Sequence, residues 1–233
     1  MGQYLEMEVT EMNNELVISK NPKGGVAETI RTLRTNLQFT FVDNEVKVIL
    51  ITSSIPAEGK SFISANLAAS FALSNMKVLL IDCDLRKGRQ EKIFNIEEEK
   101  GLSNLLLDDI KNHKKYIHKT EIENLYVLNR GIVPPNPSEI LGSEKNKKLL
   151  EKLKTEYDLI ILDCPPVNAV ADALVLAPFT DEVVIVSSIN KTPTDLLLNT
   201  KKLLENSGAK IAGVVVNNVE RMKDKYYYNK YYK

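Results

Sequence analysis

The chain has no tryptophan, only two cysteines and two histidines, no surplus of charge of either sign, and no long apolar run. Two thiols, Cys83 and Cys164, cannot build a disulfide framework or a metal cluster. Both follow apolar runs, where free cysteine serves as a small buried hydrophobe, and the usage fits a reducing cytoplasm. His113 and His118 stand among lysines and read as surface residues. Thirty-one basic residues against thirty-one acidic ones leave no net field to draw nucleic acid, which is set aside as a partner. No stretch reaches the roughly 18 uninterrupted apolar residues that read as a bilayer span. The acidic start, MGQYLEMEVTEMNNE, lacks the basic and apolar parts of an export signal. The expectation is a cytoplasmic protein, held at a membrane only through something else.

What the chain does have is a series of short β-branched apolar runs: 46–52 (VKVILIT), 77–82 (KVLLID), 125–128, 158–163 (DLIILD), 182–187 (EVVIVS) and 211–217 (IAGVVVN). Continuous runs of this kind are what strands buried on both faces of a parallel sheet look like. Helical patterns lie before the first run at 26–39 and then at 60–74, 137–157, 171–177 and 193–207. The alternation predicts an α/β fold, a mostly parallel wound sheet with helices on both faces. One domain accounts for 1–220, its first 40 or so residues carrying the helix at 26–39. The last residues, 221–233, form a tyrosine-rich tail.

Ligands of such sheets bind beyond the carboxyl ends of the strands, and three of these ends carry reactive residues. The first strand runs into SIPAEGKS (54–61), which fits G-x-x-x-x-G-K-[ST] apart from Ser54 in place of the first glycine. Backbone N–H groups of such a loop, with the helix that follows, form an anion cradle for phosphates. Lys60 would reach the terminal phosphates, Ser61 would ligate Mg2+, and Gly59 permits close backbone approach. The second strand ends in Asp82 and Asp84, with Arg86 close behind. Alternate positions share a face, so both carboxylates can face the cleft, one toward Mg2+ and one accepting a proton from an incoming hydroxyl. The 158–163 run ends at Asp163, placed as a further metal-directed carboxylate. Cys164-Pro165-Pro166 then leads the chain out of the sheet, since proline cannot donate to a ladder.

Taken together, AETIRTLRTNL, ITSSIPAEGKS, VLLIDCDLRKGR, KGLSNLL, GIVPPNPSEIL, LIILDCPP and the terminal tyrosine cluster resemble the cytoplasmic bacterial tyrosine kinases (BY-kinases) of capsule and exopolysaccharide systems. The likeness covers nearly the whole chain. It implies a P-loop NTPase fold whose Walker A loop contributes Ser54, Pro56, Ala57, Glu58, Gly59, Lys60, Ser61 and Phe62. It places Asp82 and Asp84 in Walker A′ and makes Asp163 the Walker B aspartate. ATP and Mg2+ are the implied cofactors, with Ser61, Asp82 and Asp163 on the metal and Asn217 near adenine. Lys60, Asp82, Asp84 and Arg86 are the implied catalytic residues; which aspartate is the base stays open.

The resemblance also implies that Tyr226, Tyr227, Tyr228, Tyr231 and Tyr232 are autophosphorylation sites served by an adjacent subunit. Five tyrosines within seven residues cannot all find a core, so the tail reads as exposed. Glu28, Arg31 and Arg34 match an E-x-x-R-x-x-R element that packs subunits into a ring, and their spacing puts them along one helix side. Implied partners are a membrane protein whose cytoplasmic tail activates the kinase, protein-tyrosine substrates and an opposing tyrosine phosphatase. The rival readings are a partition-type or division-site-type ATPase and a non-catalytic nucleotide-dependent regulator. The former has an additional lysine five residues before the loop lysine, where this chain has Ile55.

Overall fold

The computed structural model describes residues 15–41, 45–97 and 100–219. Its seven strands are β1 (Val48–Ser53), β2 (Val78–Asp82), β3 (Ile117–Lys119), β4 (Leu125–Leu128), β5 (Leu159–Asp163), β6 (Glu182–Ser188) and β7 (Ile211–Asn217). They form one sheet in the order β3-β4-β2-β5-β1-β6-β7. Every pairing is parallel except the edge pair β3 and β4. All six expected runs are strands. The seventh, β3, is three residues long, polar and half-buried; too short to show a period, it left no signal in the sequence.

Alternate strand residues face opposite ways and feed two cores. Ile49, Ile51, Leu80, Ile161 and Val184 pack with Ala27, Ile30 and Leu37 of α2 (Gly25–Thr40) and with α3 (Lys60–Ala72). The short helix α1 (Val17–Lys20) adds Ile18 to the same core. On the other face Leu50, Leu79, Ile160 and Ile185 meet Leu102 and Leu105 of α5 (Leu102–Leu107), which follows the four-residue α4 (Gln90–Ile93). They also meet Leu141 of α6 (Pro137–Leu141), Leu149 and Leu153 of α7 (Glu144–Lys154), Leu176 of α8 (Asp172–Leu176) and Leu204 of α9 (Thr194–Asn206). Helices therefore cover both faces, as the sequence pattern predicts.

Eleven of the thirteen residues of α3 are buried, which explains its Ala- and Ser-rich sequence: only small side chains let a helix lie between a sheet and another helix. The carbonyl of Ser70, near the end of α3, accepts from the Arg34 guanidinium at 2.8 Å.

Two expectations need correction. The helical pattern at 137–157 is two helices, α6 and α7, broken at Gly142 and Ser143; the Ser143 hydroxyl caps α7 by accepting from the Asn146 N–H at 3.2 Å. His113 is not a surface residue: it is 2% exposed. Its ring nitrogens lie 3.2 Å from the Ile110 carbonyl oxygen and 3.0 Å from the Glu156 carboxylate. These partners offset the cost of burying a polar ring among lysines.

Candidate active site

The site is built where β1, β2 and β5 end side by side. After Ser53 the chain turns through residues 54–59 and enters α3 at Lys60. Gly59 has φ +89°, and a Cβ there would stand 2.1 Å from the Asn217 amide nitrogen. Only glycine satisfies both constraints. The Asn217 amide in turn donates to the Glu58 carbonyl at 2.9 Å, so β7 supports the loop from behind. Ala57 also holds a left-handed conformation, φ +60°, and its carbonyl accepts from the Lys191 ammonium at 2.8 Å.

The departure at Ser54 has a structural reason. Its side chain is buried toward α9, where the Thr200 hydroxyl donates to it at 2.9 Å, and its carbonyl accepts from Asn168 at 3.0 Å. Glu58, a loop residue by the resemblance, has its side chain wholly buried. It accepts from the N–H groups of Ile55 at 2.8 Å and Ser188 at 2.9 Å, and from the Thr192 hydroxyl. That side chain braces the loop, leaving Glu58 only its backbone to offer a ligand. Phe62, in the first turn of α3, is partly buried and packs against the core on that face of the sheet. Pro56 is exposed at the loop's tip, and Ser61 is 7% exposed at the start of α3.

Lys60, Asp82, Asp84 and Asp163 come together as expected. The Lys60 ammonium lies 3.1 Å from Asp84 Oδ2, 3.4 Å from Ser61 Oγ and 3.8 Å from Asp163 Oδ1. Burial alone would depress its pKa, but Asp163, Asp84 and Asp82 overcome that and hold it above the ordinary lysine value. Asp82 and Asp163 are register partners on adjacent strands. Asp82 is fully buried; desolvation and the neighbouring Asp163 push its pKa up to about 8, against the opposing pull of the Gln90 N–H. Gly88 closes over it: a Cβ at Gly88 would stand 2.4 Å from Asp82 Oδ2. Asp84 also accepts from the Lys87 N–H at 2.9 Å.

Three further residues join or border this cluster that the sequence reading did not name. Ser64, three residues after Ser61 on α3, donates to Asp163 Oδ1 at 3.2 Å. Gln90, at the start of α4, donates its side-chain amide to Asp163 Oδ2 at 2.8 Å. Asp172 is wholly buried; its Oδ1 takes the Ser138 hydroxyl at 2.5 Å and lies 3.5 Å from the Arg86 guanidinium. Arg86 is thus held at the rim of the site by a carboxylate from α8. The Ser64 spacing could have been noticed, since i and i+3 share a helix side. The other two depend on how loops return to the sheet.

Of the proposed interface residues, Glu28 and Arg31 pair at 2.9 Å on the exposed side of α2. Arg34 does not join them as a free charge: it is turned inward onto Ser70. The tail tyrosines, Tyr226 to Tyr232, lie outside the described residues.

The donor set fits a magnesium nucleotide. Three carboxylates cluster about one ammonium and a hydroxyl stands at the helix start, a set of oxygen donors with more negative than positive charge. Among the described residues no ready cage of three His, Cys, Asp or Glu ligands exists, and Mg2+ needs none, taking one or two carboxylates with waters and phosphate oxygens.

A glycine-bearing turn between a central parallel strand and a buried helix, with aspartates at the ends of the next two strands on one side, β5 and β2, defines a P-loop NTPase-type α/β protein. An AAA domain family profile matches residues 57–211. CapB of Staphylococcus aureus, which bears a tyrosine-protein kinase name, is 38% identical over 216 residues, 93% of this chain and 94% of CapB. The kinase domain of the Escherichia coli tyrosine kinase ETK superposes with a TM-score of 0.84 at 36% identity, covering 91% of this chain and 84% of that one. The chimerical protein CapA2B2 gives 0.84 at 41% identity, covering 88% and 90%. The chain belongs to the bacterial tyrosine-kinase family. Among the described residues no helix is long and apolar enough to cross a membrane.

Proposed function

We propose that the chain is an ATP-dependent protein-tyrosine kinase that phosphorylates its own tail, Tyr226, Tyr227, Tyr228, Tyr231 and Tyr232, on a neighbouring subunit, and regulates capsule or exopolysaccharide production. The observation that carries this is the Lys60 ammonium lodged between Asp84 and Asp163 at the mouth of the phosphate loop. Phosphoryl transfer asks little covalent chemistry of a protein; it asks for positioning and charge neutralisation. The backbone of residues 54–61 would hold the phosphates, and Lys60 would leave its carboxylates to neutralise the oxygens being transferred. Ser61, Asp82 and Asp163 are the residues that would hold Mg2+, whose charge adds to that of Lys60. Asn217, already against the loop, is the residue assigned to the base.

Burial separates the two aspartates of β2. Asp82 is 0% exposed and Asp84 5%, so Asp84 is the one an incoming tyrosine can approach. We assign Asp84 the proton of the phenol, whose ordinary pKa near 10 makes an acceptor useful late in transfer. Arg86 beside it would steady negative charge at the rim. A membrane protein with a cytoplasmic tail, as an activator, and an opposing phosphatase complete the reading; the likeness to CapB and CapA2B2 supports the former. Nothing in the structure favours a partition-type ATPase: Ile55, in place of its signature lysine, is half-buried and tied to Glu58.

Intact-mass measurement of the protein incubated with ATP and Mg2+, beside Lys60→Ala, tests the proposal. Several steps of about 80 Da mapping to Tyr226–Tyr232 and missing from Lys60→Ala are expected. ATP turnover without modified tyrosines would remove the kinase reading.

A further inference from the structure

We propose that Gln90 is the positioning residue for the metal end of this site, fixing Asp82, Asp163 and Ser61 relative to one another so that they meet Mg2+ in a single arrangement. The inference rests on the metal-nucleotide reading above and assigns a part of it to a residue outside the P-loop, Walker A′ and Walker B positions.

Gln90 is 0% exposed. Its Nε2 donates to Asp163 Oδ2 at 2.8 Å and to the Ser61 carbonyl at 3.2 Å, and its backbone N–H donates to Asp82 Oδ2 at 3.0 Å. One residue thus reaches all three positions assigned to the metal, each on a different element: α3, β2 and β5. The orientation of the amide is not arbitrary. A carboxylate and a carbonyl only accept, so the nitrogen must be the atom turned toward them.

The chemistry of the side chain suits the task. Asp82 and Asp163 are register partners on adjacent strands, so the two carboxyl groups stand close together. Two carboxylates this close repel and, left alone, would turn apart. A lysine or arginine between them would remove the repulsion by placing a fixed cation where the metal must go. A neutral amide supplies donors and no charge: the side chain ties Asp163 to the Ser61 carbonyl while the backbone N–H holds Asp82, and nothing competes for the carboxylates.

The other end of the amide supports the same conclusion. Gln90 Oε1 is buried and has no hydrogen-bond partner among the described residues. Buried acceptors seldom stay unpaired, and each exception asks for a cause. A donor that arrives with the metal, a water of its hydration shell, would satisfy it, because Mg2+ usually keeps several waters when bound by proteins. Residues that orient metal ligands in this way typically change metal affinity 10- to 100-fold when removed.

The test uses the full chain and a fluorescent ADP analogue, titrated with Mg2+ and separately in excess EDTA, for wild type, Gln90→Met, Gln90→Leu and Asp163→Asn. Circular dichroism melts report folding. In the Gln90 variants the half-saturating Mg2+ should rise about 10-fold or more, while metal-free binding of the analogue stays within about twofold of wild type. A merely structural role would instead lower both affinities together, and that result overturns the inference. So does an unchanged Mg2+ requirement, or the failure of both Gln90 variants to fold. Asp163→Asn separates the two layers of the argument. If Mg2+ strengthens binding there as in wild type, the metal reading itself fails. If its effect is lost there but intact in the Gln90 variants, only the role of Gln90 falls.

Discussion

Asp82 shows what the site costs when no ligand shares it. Unfolded, its carboxyl titrates at 3.8; folded, burial and Asp163 move it to about 8. Between those values the folded chain binds a proton that the unfolded chain has released, so this residue's contribution makes stability fall as pH rises through that window. Asp82→Asn removes the penalty. Its melting temperature without nucleotide at pH 8 is expected to exceed wild type by about 5 °C or more, the gap closing toward pH 4, while tail phosphorylation is lost. Scanning calorimetry across pH checks the first part and mass analysis the second. Ala57 stores a smaller strain. At φ +60° its methyl crowds the following carbonyl, and Ala57→Gly is expected to stabilise the chain by about 0.5–1 kcal/mol in urea unfolding.

At the scale of elements, α3 couples stability to chemistry. Its first residues, Lys60, Ser61 and Ser64, line the candidate site, and its later ones fill the core between the sheet and α2. Leu67 is 0% exposed there; Leu67→Ala should cost about 2–5 kcal/mol and reduce activity only by reducing the folded fraction. The break between α6 and α7 is a contrasting case. Ser143→Ala removes a helix cap and should cost about 1 kcal/mol, with phosphorylation per folded molecule unchanged. Chemical denaturation read beside intact mass distinguishes the two.

For the whole molecule the issue is how copies would meet if, as proposed, one subunit phosphorylates the tail of the next. Glu28 and Arg31 lie on the outer side of α2, whereas Arg34 is committed to Ser70 within its own chain. Arg31→Ala should therefore weaken self-association with little change in melting temperature, and Arg34→Ala should lower the melting temperature as well. Sedimentation and thermal melts of both variants check this. Phosphates on five tail tyrosines would add roughly −8 to −10 charges. A phosphorylated preparation is expected to sediment as smaller species than Lys60→Ala, most clearly at low salt, where repulsion is least screened.

Much of this protein was decided locally, and so was legible in its sequence. Six apolar runs fixed six strands because strands buried on both faces need continuous apolar residues. The residues at three strand ends pointed to one cluster of Lys60, Asp82, Asp84 and Asp163 because a parallel sheet brings those ends together. Tertiary structure alone decided the rest. The same residue types could have been surface polar groups; it is long-range return of the chain that sets Thr200 against Ser54, buries Glu58 under the loop, turns Arg34 onto α3 and hides His113 against Glu156. Gln90 is the sharpest case. Nothing in RQEKIF marks it; only the return of the 83–89 loop sets it against Asp82, Asp163 and the Ser61 carbonyl.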